Sequence, residues 1–101
     1  MKRGAWSLVE EALGSLGRLK IMRELLRNPR KARTRYSISR ATGLKMEDVK
    51  AHLETLTEKG WVIQYPYKPR TYRPNMENRL VKLLKQFIEE VEHSEAKGPP
   101  A

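Results

Sequence analysis

What most constrains this chain is the placement of its breakers, which divide it into a fixed succession of short helical and extended pieces. Asn28-Pro29 ends a helical run, because proline lacks the amide and restricts the residue before it. Gly43 follows the next possible helix start by only a few residues and suits a left-handed C-terminal position. Gly60 stops a third run, Pro66 and Pro69 bracket a stiff turn, and Pro74-Asn75 opens the last piece.

The spacing of apolar residues names each piece. Ser7-Leu8-Val9-Glu10 has the capping-box pattern, in which hydroxyl and carboxylate each satisfy a free amide at a helix start, with Trp6 placed to staple against it. Leu8, Val9, Ala12, Leu13 and Leu16 then recur at helical spacing interrupted by Gly14-Ser15 and Gly17, which predicts one short helix, a break and a second. The second, over about 15–27, carries Leu16, Leu19, Ile21, Met22, Leu25 and Leu26 as a broad apolar face. Arg30-Lys31-Ala32-Arg33-Thr34-Arg35 reads as a cationic loop with at most a very short strand. Thr34 or Ser37 caps a short helix whose Ile38 and Ala41 face the core with Tyr36 beside them, and Leu44 enters a tight turn. Val49, Leu53 and Leu56 mark an amphipathic helix over 46–59.

Trp61-Val62-Ile63-Gln64-Tyr65 and Thr71-Tyr72-Arg73 form a two-stranded hairpin with a basic tip, a wing over about 61–73, with Trp61 in the core. Met76, Leu80, Leu83 or Leu84, Phe87 and Val91 predict a final helix over about 76–93. The stretch 94–101, closing on Gly98-Pro99-Pro100-Ala101, is expected to be a disordered tail. The expectation is one domain over 1–93 without internal repeats.

Composition removes several function classes. With 39% apolar and 7% aromatic residues, a 101-residue chain builds a lean core, so help from a partner subunit would be unsurprising. No uncharged apolar run is long enough to span a membrane, and Met1-Lys2-Arg3-Gly4 is not followed by an apolar signal core, which suggests a cytoplasmic protein without a membrane partner. The absence of cysteine removes disulfides, thiolate metal sites and thiol nucleophiles, and His52 and His93 lie too far apart in sequence to make a transition-metal site by themselves. No metal or cofactor is expected. Catalytic spacings and glycine-rich phosphate loops are missing as well, so the chain does not read as an enzyme.

Charge points the other way. From Arg27 to Arg73 there are 12 Lys or Arg against 4 Asp or Glu, a net of +8, whereas the flanks together carry only +1. An excess gathered in the middle of the chain suits a surface that meets a polyanion.

The order helix, helix, short helix, turn, helix, hairpin, helix outlines a winged helix, mainly α (α+β). Leu13-Gly14-Ser15, then Arg18-Leu19-Lys20-Ile21-Met22, then Ala51-His52-Leu53-Glu54-Thr55-Leu56 with Gly60-Trp61-Val62 resembles the ArsR superfamily of winged helix-turn-helix transcriptional regulators. So does Tyr72-Arg73-Pro74-Asn75 leading into the final helix, a continuation associated especially with archaeal members. The likeness extends over roughly 6–91 and implies a homodimer that binds double-stranded DNA.

In such a unit the second helix presents its first turns to base edges in the major groove, the groove that admits a helix and carries a distinct donor and acceptor code. Here Lys45, Met46, Glu47, Lys50 and Ala51 would point outward, with Lys45 and Lys50 the candidates for guanine or phosphate contacts. Glu47 and Asp48 suit either the positive end of the helix dipole or a contact to cytosine, and the sequence leaves the choice open. Arg33, Thr34, Arg35, Ser37 and Arg40 are candidates for holding phosphates. The wing adds Tyr67, Lys68, Arg70 and Arg73, which the resemblance places over the neighbouring minor groove. His52 reads as a packing residue rather than a ligand.

Leu80, Leu84, Phe87 and Val91 on the last helix, with Trp6, Val9 and Leu13 from the first, form the candidate dimerisation surface, which would set two recognition helices about 34 Å apart. The expected function is therefore sequence-specific transcriptional regulation by a homodimer, nucleoid-associated if prokaryotic. A sequence-independent chromatin or RNA-binding protein, or a protein-interaction module of the transcription machinery, stands as the alternative. No residues define an effector site.

Overall fold

In the computed structural model, residues 12–96 are described. Trp6, Val9, the capping box and the last five residues lie outside that range.

Helix α1 is Leu16–Leu26. Ser15 is extended and its Oγ accepts from Arg18 N (3.1 Å), which satisfies one of the free amides of the first turn. The helix buries Ile21, Met22, Leu25 and Leu26. After the turn at Asn28-Pro29, strand β1 (Arg33–Thr34) leads directly into helix α2 (Arg35–Thr42). Of the two possible caps Thr34 is used: its Oγ1 accepts from Ser37 N (3.1 Å).

Gly43 ends α2 at φ 78, and its N–H donates to Ser39 O (2.9 Å). Ser39 Oγ donates to Leu44 O (2.6 Å), so the turn into helix α3 (Met46–Glu58) is locked by side chains from the helix it leaves. Val49, Leu53 and Leu56 form the buried face of α3, and Gly60, also at φ 78, terminates it.

Strands β2 (Val62–Tyr65) and β3 (Thr71–Pro74) pair antiparallel, with Ile63 opposite Arg73 and Gln64 opposite Tyr72. The hairpin expected from sequence gains a third strand, since β1 pairs with the free edge of β3 through Arg33↔Tyr72 and Thr34↔Thr71. The sheet order β1-β3-β2 ties the wing to the start of α2.

Helix α4 is Arg79–Ala96, displaced from the expected 76–93 at both ends. Its start is delayed because Asn75 and Asn78 both donate through Nδ2 to Gly60 O (2.8 and 3.1 Å), while Asn78 Oδ1 accepts from Leu80 N (2.9 Å) as the helix cap. It outlasts the expected start of the tail at Ser94 because no breaker intervenes before Gly98.

Among the described residues, four helices and a three-stranded antiparallel sheet thus enclose one core, built from Ile21, Met22 and Leu25 of α1, Ile38 of α2, the inner face of α3, Trp61, Val62 and Tyr72 of the sheet region, and Val81 of α4. This is the mainly helical winged helix-turn-helix architecture. Two residues expected to line that core do not. Tyr36 is 60% exposed and Ala41 is exposed, because α2 buries only Ile38, and Tyr36 lies about 200° around the helix from it.

Candidate nucleic-acid interface

With Val49, Leu53 and Leu56 turned inward, the first turns of α3 leave Lys45, Met46, Glu47, Asp48, Lys50 and Ala51 exposed. The sheet brings the wing tip alongside them. Between the start of α2, the start of α3 and the tip lies an open groove of about 560 Å3, lined by Thr34, Arg35 and Tyr36, by Met46 and Lys50, and by residues 66–70. Lysine and arginine come from all three elements, and no carboxylate is among the lining residues. The Lys68-Pro69 peptide at the tip is cis.

Several of the expected contact residues also make bonds inside the domain. Arg33 donates through Nε to Ser37 Oγ (2.7 Å) and pairs through Nη1 with Glu24 of α1 (3.6 Å), both ionic side chains being 17% exposed. Arg33 and Ser37 therefore fix α2 against α1. Thr34 spends its hydroxyl acceptor on the α2 cap, although it also borders the groove. Arg73, whose side chain faces away from that of the buried Tyr72, donates through Nε to Pro29 O (3.3 Å) and supports the α1–β1 loop. Arg33, Thr34, Ser37 and Arg73 thus each make a bond that helps hold the fold together.

Arg40 remains exposed but is steered: it donates through Nη1 to Tyr36 OH (3.0 Å) and lies over the Tyr36 ring, 5.8 Å from its centroid. Lys45 and Ala51 are exposed outside the groove lining. Tyr36 is the groove residue that sequence reasoning missed, and its four-residue spacing from Arg40 was the available signal.

The two carboxylates at the start of α3 are exposed in its first turn, where the helix dipole favours them, and neither lines the groove. Asp48 lies two residues, about 200° around the helix, from Met46, and it acts electrostatically on His52, one turn further along the same side. His52 itself packs on α1, so closely that a Cβ at Gly17 would stand 2.5 Å from its Nε2. Burial lowers the His52 pKa below its ordinary value of 6.5, the Arg18 charge lowers it further, and Asp48 opposes both. The ring is thus a packing group wedged between α3 and α1, where its surroundings disfavour the charged form.

Helix α4 contributes no residue to the groove and shows two faces. Val81, Leu84 and Ile88 turn into the domain, with Leu84 only 9% exposed. Leu80, Leu83, Phe87 and Val91 form an outward stripe, continued on α1 by Leu19, and Leu16 of α1 is exposed as well. Leu84 and Leu13, expected at a dimer surface, belong to the chain's own core packing, and Leu83 takes the outward place. A small apolar cleft between Leu19 and Phe87, Ile88 and Val91 joins the α1 and α4 parts of this surface.

Among the described residues there is no cluster of side chains that could hold a metal ion, and no helix is long and apolar enough to cross a membrane.

No protein-family model and no curated protein matches the chain. Solved structures do. The homodimeric winged helix-turn-helix DNA-binding domain of a possible ArsR-family transcriptional regulator from Mycobacterium bovis, determined by NMR, superposes with a TM-score of 0.67 at 24% identity, covering 96% of this chain and 91% of that one. A crystal structure of a possible transcriptional regulatory protein fragment from the same organism gives 0.65 at 26% identity, over 91% of this chain and 99% of that one. An ArsR-like transcriptional regulator from Rhodococcus sp. RHA1 gives 0.60 at 20% identity, over 96% and 92%. The element order, the sheet topology and this superposition over nearly the whole chain together show a winged helix-turn-helix fold of the kind seen in ArsR-like proteins.

Proposed function

We propose that this chain is a homodimeric regulator of transcription that binds double-stranded DNA sequence-specifically, with α3 in the major groove and the wing tip over the adjacent minor groove. The observation that carries the reading is the groove itself. Arg35, Lys50, Lys68 and Arg70, from three elements far apart in sequence, border one open surface without a carboxylate among them. Such a surface attracts a polyanion, and a helix start at its floor is placed to reach base edges.

The structural neighbours described as DNA-binding or as transcriptional regulators support the reading, and the homodimeric one supports the pairing of two copies, for which the exposed α4 stripe is the apolar surface at hand. Two chains joined there would present two α3 helices to successive half-sites of one DNA face. The protein acts by binding and not by catalysis, and its place of action is the cytoplasm.

Selection from random duplexes followed by footprinting tests this. The expected result is a palindrome protected at two half-sites about 10 base pairs apart. Enrichment of no sequence would instead favour sequence-independent binding.

A further inference from the structure

Of the side chains that α2 and α3 bring to the groove, one is not explained by phosphate binding. Met46, the first residue of α3, is 44% exposed, belongs to no core cluster, and sits in the groove beside Lys50. The two are four residues apart, so they project from the same side of the helix. In the major groove the exposed apolar group among the base edges is the C5-methyl of thymine. The geometry points to Met46 as the residue that reads a thymine methyl in each half-site, an assignment that rests on the groove being the DNA interface.

The chemistry of the side chain suits the task. An unbranched thioether adapts its shape to a small apolar target, which a lysine or a carboxylate at this position could not do. Glu47 and Asp48, the neighbouring residues with polar reach, are absent from the groove lining, so the helix start meets the bases through an apolar group followed by a cation. The two groups stand about 6 Å apart along the helix axis. Base pairs step by about 3.4 Å. Met46 and Lys50 therefore read bases one or two steps apart, and the half-site should contain a thymine separated by that spacing from the guanine that Lys50 contacts.

The test replaces each thymine of the selected duplex in turn by deoxyuridine, which removes the methyl and leaves every hydrogen-bonding edge intact. Affinity is read by fluorescence anisotropy. Wild-type protein should lose about fourfold at one thymine per half-site, the worth of one buried methyl group. Met46→Ala should bind the thymine and deoxyuridine duplexes equally, whereas Met46→Leu should keep the discrimination. Circular dichroism of the variants should match wild type, since the side chain lies outside the core. Tolerance of deoxyuridine at every position by the wild type, or discrimination that survives in Met46→Ala, would overturn the assignment while leaving DNA binding in place. Failure of the wild type to bind any duplex at low salt would overturn the DNA reading beneath it, which is a separate outcome of the same titration.

Discussion

Along the groove, Arg35, Lys50, Lys68 and Arg70 form no ion pair among the described residues, whereas α4 carries two, Lys85 with Glu89 (2.6 Å) and Glu92 with Arg23 of α1 (3.4 Å). The apolar residues divide the opposite way. The groove holds one methionine, two prolines and two tyrosines among its polar and charged residues, while α4 leaves Leu80, Leu83, Phe87 and Val91 in a continuous outward stripe. Free charges are well hydrated and need no partner for the domain to be stable, but contiguous apolar area is driven out of water. The two surfaces should therefore answer to different measurements. Changes in the groove should alter binding and its salt dependence without touching stability, and changes on the stripe should alter assembly.

The largest effect is expected on the stripe. Phe87, 65% exposed, is its bulkiest member, and in a two-fold interface each substitution counts twice. Phe87→Glu should weaken the dimer roughly a thousandfold, the equivalent of about 2 kcal/mol per copy. Sedimentation velocity should then show a folded monomer, and affinity for a palindromic duplex should fall with it. An unchanged dimer would break the comparison at its apolar end.

Next comes the wing. Lys68→Ala with Arg70→Ala removes four cations from a dimer, so the slope of log affinity against log salt should become shallower by about 3.6, with all duplexes weakened alike. The thermal midpoint should stay where it was. Lys50→Ala should instead relax preference at one base pair, by about 1–3 kcal/mol between right and wrong base.

Arg33 sharpens the contrast from inside the cationic segment. It is bonded to Ser37 and Glu24, so Arg33→Ala should lower folding stability by about 1–2 kcal/mol, read as a fall in the urea midpoint. The salt slope of the folded protein should be unchanged, the reverse of the wing substitution.

The smallest effect concerns His52. Its folded-state pKa lies below 6.5, so the unfolded chain binds its proton first as the pH falls. The contribution of the neutral ring is fully present above 6.5 and is lost as the pH drops through the depressed folded value. Urea midpoints should therefore fall more between pH 7.5 and 5.5 in the wild type than in His52→Gln. An equal fall would mean that the ring is not held neutral against α1.

The succession of elements was legible because glycine and proline do their work locally: Pro29 lies in the turn that follows α1, and Gly43 and Gly60 adopt φ 78. What depends on contacts distant in sequence was not. Strand β1 has two residues, too few to show alternation, and exists because β3 offers it an edge. The start of α4 moves to Arg79 because two asparagines hold the carbonyl of Gly60. The phase of that helix was ambiguous at adjacent Leu83 and Leu84, and the position of α1 decides which is buried.

The site followed the same division. Cations at the wing tip and on the first turns of α3 were identifiable because their elements fix where they point. The fates of Arg33 and Arg73 were hidden, since Glu24 and Pro29, which hold them, are brought close only by the packing of α1 against the sheet.

The most direct test of the central claim is an amide chemical-shift titration of the protein with its selected duplex. Shifts should cluster at 34–36, 46–51 and 66–70, leaving the outer face of α4 unmoved. Shifts centred on α4, or scattered evenly over the surface, would show that the free cations of the groove are not where DNA binds.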